Sequence, residues 1–336
     1  MCENMNRLLE QSVFDLVSEH KTGRISRRNF LKQAVALLGS AAVANGLWLA
    51  ANNVPIPQVA AAMGLLDQAI LPTPTALPES SVDTAMVNFS AYGSDASGYL
   101  ARPKGVGSWP AVVVVQEWWG LDDHIKSVAI RFAEAGFAAV APDLYRGAVA
   151  KEPNDAQRLV MSIQMNQALK DIQSAVDYLT AQSFIAPKRA GVVGFCFGGG
   201  LAMEMAYKGN NVGAVATFYG ASANPSDVDL QQVRVPVIGF YGADDNSIPA
   251  DRIKHWYSTL TAEGKVAESH IYAGAPHAFF NDTRTSYNAA AAQDARPRVQ
   301  NWFRRYIPAE SFLQKLSLIS FFYDCPGKLT GQCYGA

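Results

Sequence analysis

The sequence predicts an α/β fold in which a mostly parallel central sheet carries helices on both faces. Strand-like and helix-like segments alternate from about Val82 to Tyr306, and polar loops follow several predicted strands. Residues 111–116 form a continuous apolar run, which is typical of a buried central strand. The chain has 336 residues, 49% of them hydrophobic and 17% charged, so it can bury a full core without a disulfide or a metal.

The predicted elements follow one another without an internal repeat. Strands are expected at 86–90, 98–101, 111–116, 137–141, 190–195, 213–219, 235–241 and 267–272, the first two being short edge strands. Helices are expected at 122–135, 164–182, directly after residue 196, and at 251–263 and 287–306. Gly136 is expected to cap the first of these helices.

The sequence predicts that the chain is divided into four regions. Residues 1–62 are predicted to be a leader, and 63–81, with three prolines among Thr and Ser, a linker. Residues 82–306 are predicted to form one catalytic domain, and 307–336 a C-terminal extension to which the sequence assigns no function.

The leader contains Ser-Arg-Arg-Asn-Phe-Leu-Lys at 26–32, followed by an uncharged, alanine-rich run from Ala34 to Ala51. This pattern resembles a twin-arginine export signal, and 60–62, three alanines, would suit cleavage. The resemblance implies the twin-arginine translocation machinery as a partner and a periplasmic or extracellular location. The alternative is an uncleaved leader that tethers the protein to a membrane. A membrane-spanning helix needs about 20 strongly apolar residues, however, and glycine and polar residues interrupt the alanine-rich run.

Charge and cysteine spacing exclude two classes of function. The net charge is −1, so there is no basic field to neutralise a nucleic acid backbone. Cys2, Cys196, Cys325 and Cys333 form no Cys-x-x-Cys pair and no zinc-type cluster with histidine, so no metal is expected. In an exported protein, Cys325 and Cys333 are close enough in sequence to form a bridge.

A nucleophile elbow is predicted around Cys196. Gly-Phe-Cys-Phe-Gly-Gly at 194–199 follows a hydrophobic strand and precedes a helix, the setting of Gly-x-Ser-x-Gly with sulfur in place of oxygen. The sharp turn needs residues without a bulky Cβ two positions before and two positions after the nucleophile. A helix N-terminus also favours the thiolate. A buried cysteine that packs as a small hydrophobe is the structural alternative.

Asp245 and His277 complete a predicted triad, because they follow Cys196 in the order nucleophile, acid, histidine. Each lies in a loop directly after a predicted strand, and ligands bind at those carboxyl ends in open α/β sheets. The other four histidines lie in the leader or in helix and strand patterns. Asp244 is the competing acid.

Over about 86–306 the chain resembles the dienelactone hydrolase family of α/β-hydrolases. The likeness rests on Gln-Glu-Trp-Trp-Gly at 116–120, Pro-Asp-Leu-Tyr at 142–145, the elbow, and the loops of Asp245 and His277. The resemblance implies an α/β-hydrolase fold and a monomeric, cofactor-free hydrolase of esters or lactones, with a Cys-His-Asp triad. It also favours Asp245 over Asp244.

The resemblance assigns further roles. Glu117 would contact the nucleophile and control its ionisation, since a carboxylate beside a thiol disfavours the thiolate. The backbone N–H groups of Trp118 and Phe197 would form the oxyanion hole.

The chain departs from the family pattern at residues that are expected to contact the substrate. Trp118 and Tyr145 are candidates for an aromatic-lined pocket. Family members bind a substrate carboxylate with arginines, one of them four residues after the catalytic histidine, where this chain has Asn281. Arg146 and Arg158 are candidates for a second such arginine. We therefore expect a neutral substrate to be preferred.

Two rival functions remain open at this stage. A redox-responsive or catalytically degenerate binding protein would keep the fold without turnover. An acyltransferase or peptidase would use the same site with another acceptor or another scissile bond.

Overall fold

The computed structural model describes residues 15, 16, 18–20, 23–38, 81–91, 94–220 and 224–308. They fall in two compact units, one comprising Met1–Pro72 with Ser311–Ala336 and the other comprising Thr73–Glu310. The cleavage site at 60–62, most of the linker, the extension from 309 onward and the two C-terminal cysteines lie outside the described residues.

In the first unit, helix α1, Arg27–Leu38, begins on the twin arginines. Its first turn is capped by Ser26, whose hydroxyl accepts a hydrogen bond of 3.3 Å from the backbone N–H of Asn29. Among the described residues, no helix is both long enough and apolar enough to cross a membrane.

The second unit is built on one sheet of eight strands in the order β1-β2-β4-β3-β5-β6-β7-β8. The strands are β1 Val82–Ala91, β2 Ser94–Pro103, β3 Trp109–Val115, β4 Ala138–Pro142, β5 Ile185–Phe195, β6 Val212–Phe218, β7 Val237–Gly242 and β8 Ala267–Tyr272. Strand β2 pairs antiparallel with β1 and β4, and all other neighbours are parallel. The predicted fold class, an α/β-hydrolase fold, is confirmed.

Helices cover both faces of this sheet. They are α2 Asp123–Glu134, α3 Pro153–Ser162, α4 Met165–Ala181, α5 Phe197–Lys208, α6 Asp227–Gln231, α7 Ala250–Ala262 and α8 Ala289–Tyr306. Helix α2 starts at Asp122, whose carboxylate accepts from the N–H of Ile125. Gly136 follows its end with a φ of 88°, the left-handed conformation that glycine adopts at helix ends.

The apolar run of β3 divides its side chains between two cores. Val113 and Val115 belong to one buried cluster with residues of α4, α5 and α7, whereas Val112 and Val114 belong to the cluster of α2 and α8. All four valines are fully buried. A strand covered on both faces needs no polar alternation, which explains the continuous hydrophobic run.

Three predictions about elements were wrong. Strands β1 and β2 are not short, because they form a hairpin of two ten-residue strands; β1 lies at the sheet edge as expected, but β2 lies inside the sheet between β1 and β4. Helix α3, in which only Ala156 is buried, was not predicted. The five-residue α6 was not predicted either.

Candidate active site

The turn between β5 and α5 forces Cys196 into a strained conformation. Its φ of 53° and ψ of −115° lie where residues with a Cβ are rarely found. A Cβ on Gly194 would lie 1.9 Å from the carbonyl oxygen of Gly198, and one on Gly198 would lie 2.3 Å from that of Gln116. Both positions therefore require glycine, as the elbow motif predicts.

The same close approach positions the end of β3 beside the elbow. The N–H of Gly198 donates to the carbonyl of Gln116 at 3.1 Å. Phe197 precedes Gly198, and Trp118 follows Gln116 by two residues, so the predicted oxyanion-hole residues belong to two backbone segments in contact.

The loops that carry the acid and the base also touch one another. The N–H of Asp244 donates to the carbonyl oxygen of Ala275 at 3.0 Å. A Cβ on Gly242 would lie 2.1 Å from that oxygen, so the loop after β7 approaches the loop after β8 as closely as glycine permits. This packing fixes where Asp245 and His277 stand relative to each other.

Asp245, His277 and Cys196 form a continuous hydrogen-bonded chain. His277 Nδ1 lies 2.6 Å from Asp245 Oδ2, and His277 Nε2 lies 3.2 Å from Cys196 Sγ. The Asp245 side chain is 1% exposed and that of His277 33%. Asp244, the alternative acid, is exposed to solvent. The geometry is that of a nucleophile, a base within reach of it, and an acid that orients the base.

The electrostatics of these three residues favour a protonated His277. Burial lowers the pKa of His277, but its hydrogen bonds to Asp245 and Cys196 and their charges outweigh burial and raise the pKa from 6.5 to about 10. Burial raises the pKa of Asp245, but the hydrogen bonds from His277 and Ser247 outweigh it and hold that pKa below 3.8. An imidazolium beside the sulfur stabilises a thiolate.

Glu117 is buried but does not hydrogen-bond to the nucleophile. Its Oε1 accepts from the Tyr219 hydroxyl at 3.0 Å and its Oε2 from Asn281 Nδ2 at 2.7 Å. The sulfur is instead within hydrogen-bonding distance of His277 Nε2, so the expected contact of Glu117 with Cys196 is not made through a hydrogen bond. Burial raises the pKa of Glu117, against the opposing effects of His124, Asn281 and Tyr219.

Tyr219 connects Glu117 to the triad. Its ring packs edge-on against His277 with centroids 5.1 Å apart, while its hydroxyl bonds to Glu117. Burial and the negative charges of Glu117, Cys196 and Asp245 raise the pKa of Tyr219, so the phenol stays protonated. Sequence reasoning did not single out this residue, since a tyrosine at a strand end has no motif of its own.

His124, which lies in helix α2, is buried. Its side chain has no exposed surface, and Nδ1 lies 3.3 Å from Asp282 Oδ1. Asp282 also pairs with Arg131. Since Asn281 bonds to Glu117 and Asp282 to His124, one two-residue segment anchors both groups.

Tyr145 and Trp118, the two aromatic candidates for the substrate pocket, are both at least partly buried. Burial and the charge of Cys196 raise the pKa of Tyr145, against the opposing effect of Gln116. The Tyr145 hydroxyl is buried. Trp118 is partly buried and packs edge-on against Trp119 at 5.0 Å, whereas Trp119 is 9% exposed and packs with Ala150 and Ala156.

Two substrate-binding candidates require correction. Asn281 is fully buried and its amide is used inside the protein, since Nδ2 bonds to Glu117 and Oδ1 accepts from the N–H and hydroxyl of Thr283. Arg158 has a 75% exposed side chain, paired with Asp155 on the solvent face of α3.

Two other arginines also contact side chains within the protein. Arg146 pairs at 2.7 Å with Asp171, a carboxylate with only 2% of its side chain exposed, which commits it to a structural role. Arg284 was not anticipated: its guanidinium lies 3.8 Å from the centroid of the Trp119 ring, and its Nε is buried without a partner. Trp119 and Arg284 are far apart in the sequence, so no sequence pattern indicates this stacking.

Within the described part of the chain, no group of three or more His, Cys, Asp or Glu side chains is arranged to hold a metal ion. The geometry is that of a three-residue hydrogen-bonded site.

The fold and the elbow define an α/β-hydrolase. The sequence pattern of the dienelactone hydrolase family matches residues 96–307, and the chain belongs to this family. It is 34% identical to protein usf of Aquifex pyrophilus over 230 residues, which cover 66% of this chain and 98% of that protein. It is 36% identical over 222 residues to a provisionally named carboxymethylenebutenolidase of Methylorubrum extorquens, covering 62% of this chain and 76% of the relative.

Solved structures agree with this assignment. A provisionally named dienelactone hydrolase of Klebsiella pneumoniae matches with a TM-score of 0.61 and 30% identity, covering 67% of this chain and 99% of the other. A dienelactone hydrolase-like promiscuous phosphotriesterase from metagenomic libraries matches with a TM-score of 0.62 and 25% identity, with the same coverage of both chains.

The raised pKa of His277 predicts how Cys196 reacts with iodoacetamide. His277 is protonated at pH 7, so the alkylation rate should be high there, because a cation beside the sulfur favours the reactive thiolate. In His277→Gln the rate at pH 7 should fall about tenfold or more, because this cation is absent.

Peptide mass spectrometry of the Cys196 peptide measures this rate. His255→Gln is the matched control, because His255 is exposed and pairs with Asp227. An unchanged rate in His277→Gln would contradict this effect of His277.

Proposed function

We propose that the protein hydrolyses a carboxylic ester or lactone through a thioacyl intermediate on Cys196. The observation that supports this proposal best is the chain of short contacts from Asp245 through His277 to Cys196 Sγ, of 2.6 and 3.2 Å. Membership of the dienelactone hydrolase family supports the hydrolase class.

In the acylation step the thiolate of Cys196 attacks the carbonyl carbon, and the thiol proton resides on His277 Nε2. Asp245 accepts from Nδ1 and so keeps Nε2 directed at the sulfur. The carbonyl π electrons move to oxygen, where the N–H groups of Phe197 and Trp118 would stabilise the oxyanion. Collapse expels the alkoxide, which takes the proton from His277.

In the deacylation step neutral His277 removes a proton from water. The resulting hydroxide attacks the thioester, and the carbon–sulfur bond breaks. The carboxylic acid leaves, and the sulfur remains as the Cys196 thiolate beside protonated His277, which is the state that began the acylation step. An acyltransferase would use another acceptor at this step, and a peptidase would cleave an amide in the first. Product analysis with water as the sole acceptor separates these functions from hydrolysis.

Glu117 is proposed to modulate the nucleophile from a distance. It is held by Tyr219 and Asn281, and Tyr219 packs on His277. Because burial raises its pKa, Glu117 is biased toward the neutral form, and a neutral carboxyl group opposes the thiolate less than a carboxylate would.

The substrate pocket is proposed to be aromatic and not to carry a dedicated carboxylate-binding arginine. Tyr145 contributes a buried hydroxyl, and Trp118 a partly buried ring. Arg146 and Arg158 are paired with Asp171 and Asp155.

Replacing Cys196 by alanine should abolish hydrolysis of p-nitrophenyl acetate. The rate should fall by about a thousandfold or more, because the covalent step is lost, and His277→Ala should be comparably damaging. Far-ultraviolet circular dichroism should show an unchanged fold, since the substitution removes only one sulfur atom. Wild-type protein that binds the ester without turnover would favour the binding-protein alternative, and an active Cys196→Ala variant would contradict the assigned nucleophile.

Charge selectivity should favour a neutral lactone over an anionic one of similar shape. A buried carboxylate needs a charge-assisted partner, and Asn281, Arg146 and Arg158 are all engaged within the protein. We expect kcat/KM for the neutral lactone to be higher by at least about tenfold, or about 1.4 kcal/mol.

The opposite preference would contradict this proposal and would direct attention to Arg284, which stacks on Trp119. In that case Arg284→Met should reduce kcat/KM for the anionic lactone alone.

We also propose that the protein is exported through the twin-arginine pathway. Changing Arg27 and Arg28 together to lysine keeps the charge but removes the motif, so the precursor should remain in the cytoplasm. Arg24→Lys is a matched control, because it makes the same change outside the pair. Cell fractionation and immunoblotting measure the outcome, and mature enzyme outside the membrane in the double variant would contradict the proposal.

A further inference from the structure

Ser247, two residues after the acid of the triad, contacts both the acid and the base. Its backbone N–H donates to Asp245 Oδ1 at 2.9 Å, and its hydroxyl lies 2.5 Å from the same oxygen. The hydroxyl oxygen is also 3.2 Å from His277 Nδ1. One side chain therefore reaches both members of the pair that activates the nucleophile.

These contacts divide the two oxygens of Asp245 between separate partners. Oδ2 accepts from His277 at 2.6 Å, while Oδ1 receives both donors of Ser247. With 1% of its side chain exposed, Asp245 has almost no access to water that could replace a lost donor. The carboxylate plane is therefore set by Ser247 on one side and by His277 on the other.

The serine hydroxyl can serve both neighbours at once. Its hydrogen points to Asp245 Oδ1, and a lone pair then faces His277 Nδ1, whose N–H is shared between Asp245 Oδ2 and Ser247 Oγ. A short turn around an aspartate explains the backbone N–H bond, but it does not require the second contact with His277.

We infer that Ser247 is a positioning residue of the triad, whose hydroxyl holds the Asp245 carboxylate and the His277 ring in line with Cys196 Sγ. This inference rests on the proposed hydrolase function. Ser247 transfers no proton and does not touch the reacting atoms. Its effect is to prevent rotation of the carboxylate and tilting of the imidazole, either of which would misdirect Nε2.

The hydroxyl can be tested separately from the turn. Ser247→Ala removes the hydroxyl but keeps the backbone N–H bond, whereas Ser247→Thr keeps both, and the added methyl group has room because Ser247 is exposed. For Ser247→Ala we expect kcat to fall about tenfold, or about 1.4 kcal/mol, with KM within about twofold of wild type. Ser247→Thr should retain most of the wild-type kcat.

The pH profile provides a measurement that a purely structural role would not change. The Ser247 hydroxyl is one of the groups that hold the pKa of Asp245 low, against the effect of burial. Its removal should raise that pKa, and because turnover needs the ionised carboxylate, the acidic limb of kcat/KM should move to higher pH in Ser247→Ala but not in Ser247→Thr.

A double-mutant cycle shows whether Ser247 acts through Asp245. In an Asp245→Asn background, Ser247→Ala should cost little more, because the carboxylate that it positions is gone. Ser258→Ala is the matched control, since that hydroxyl bonds only to the carbonyl of His255 in the preceding helical turn. A wild-type kcat and acidic limb in Ser247→Ala, or the full loss repeated in the Asp245→Asn background, would overturn the inference.

Failure of this inference is distinguishable from failure of the proposed function. Wild-type protein that hydrolyses no ester contradicts the function, and the rate of Cys196 alkylation by iodoacetamide against pH then remains as the test of Ser247. That rate should fall in Ser247→Ala relative to Ser258→Ala, and identical rates would overturn the positioning role.

Discussion

The backbone contact at the β5–α5 turn is the constraint on which the rest of the site depends. The carbonyl oxygens of Gly198 and Gln116 approach Gly194 and Gly198 so closely that neither position can carry a Cβ. The turn in return fixes Cys196 at the start of a helix with a φ of 53°. The central parallel strands, covered by helices on both faces, make this strain sustainable, because a turn held between two buried cores cannot relax locally.

The two buried carboxyl groups near His277, those of Asp245 and Glu117, have pKa values shifted in opposite directions. Asp245 is kept ionised by three hydrogen bonds, two from Ser247 and one from His277, although it is buried. Glu117 is more deeply buried, and its two hydrogen bonds do not outweigh the burial that raises its pKa. Asp245 therefore supports a protonated His277, whereas burial shifts Glu117 toward its neutral form.

The fold and the hydrogen-bonded arrangement of Cys196, His277 and Asp245 could be predicted from sequence because each leaves a local pattern. Continuous apolar runs mark strands covered on both faces, and glycine two residues before and two residues after Cys196 marks the tight turn. The loop positions of Asp245 and His277 follow from the rule that parallel strands present their carboxyl ends on one side. The β1–β2 hairpin was underestimated because its mixed polar sequence pairs through the backbone, which has no hydrophobic signature.

The residues around the triad could not be predicted, since their roles depend on contacts between distant segments. Asn281 occupies a position suggestive of substrate binding but points inward to Glu117, 164 residues away in sequence. Arg158 has the charge for a substrate contact, yet it lies on the outer face of a helix that the sequence pattern did not reveal. His124, Tyr219 and Ser247 likewise acquire their partners only once β3, β6 and the loops after β7 and β8 are brought together.

The central claim is that Cys196 carries the acyl group during turnover. Rapid mixing with p-nitrophenyl acetate, acid quenching and peptide mass spectrometry test it most directly. The account predicts one acetyl group on the peptide that contains Cys196, formed at least as fast as steady-state turnover and absent from Cys196→Ala. Full turnover without any acetylated Cys196, or an acetyl group on another residue that forms and decays at the turnover rate, would contradict it.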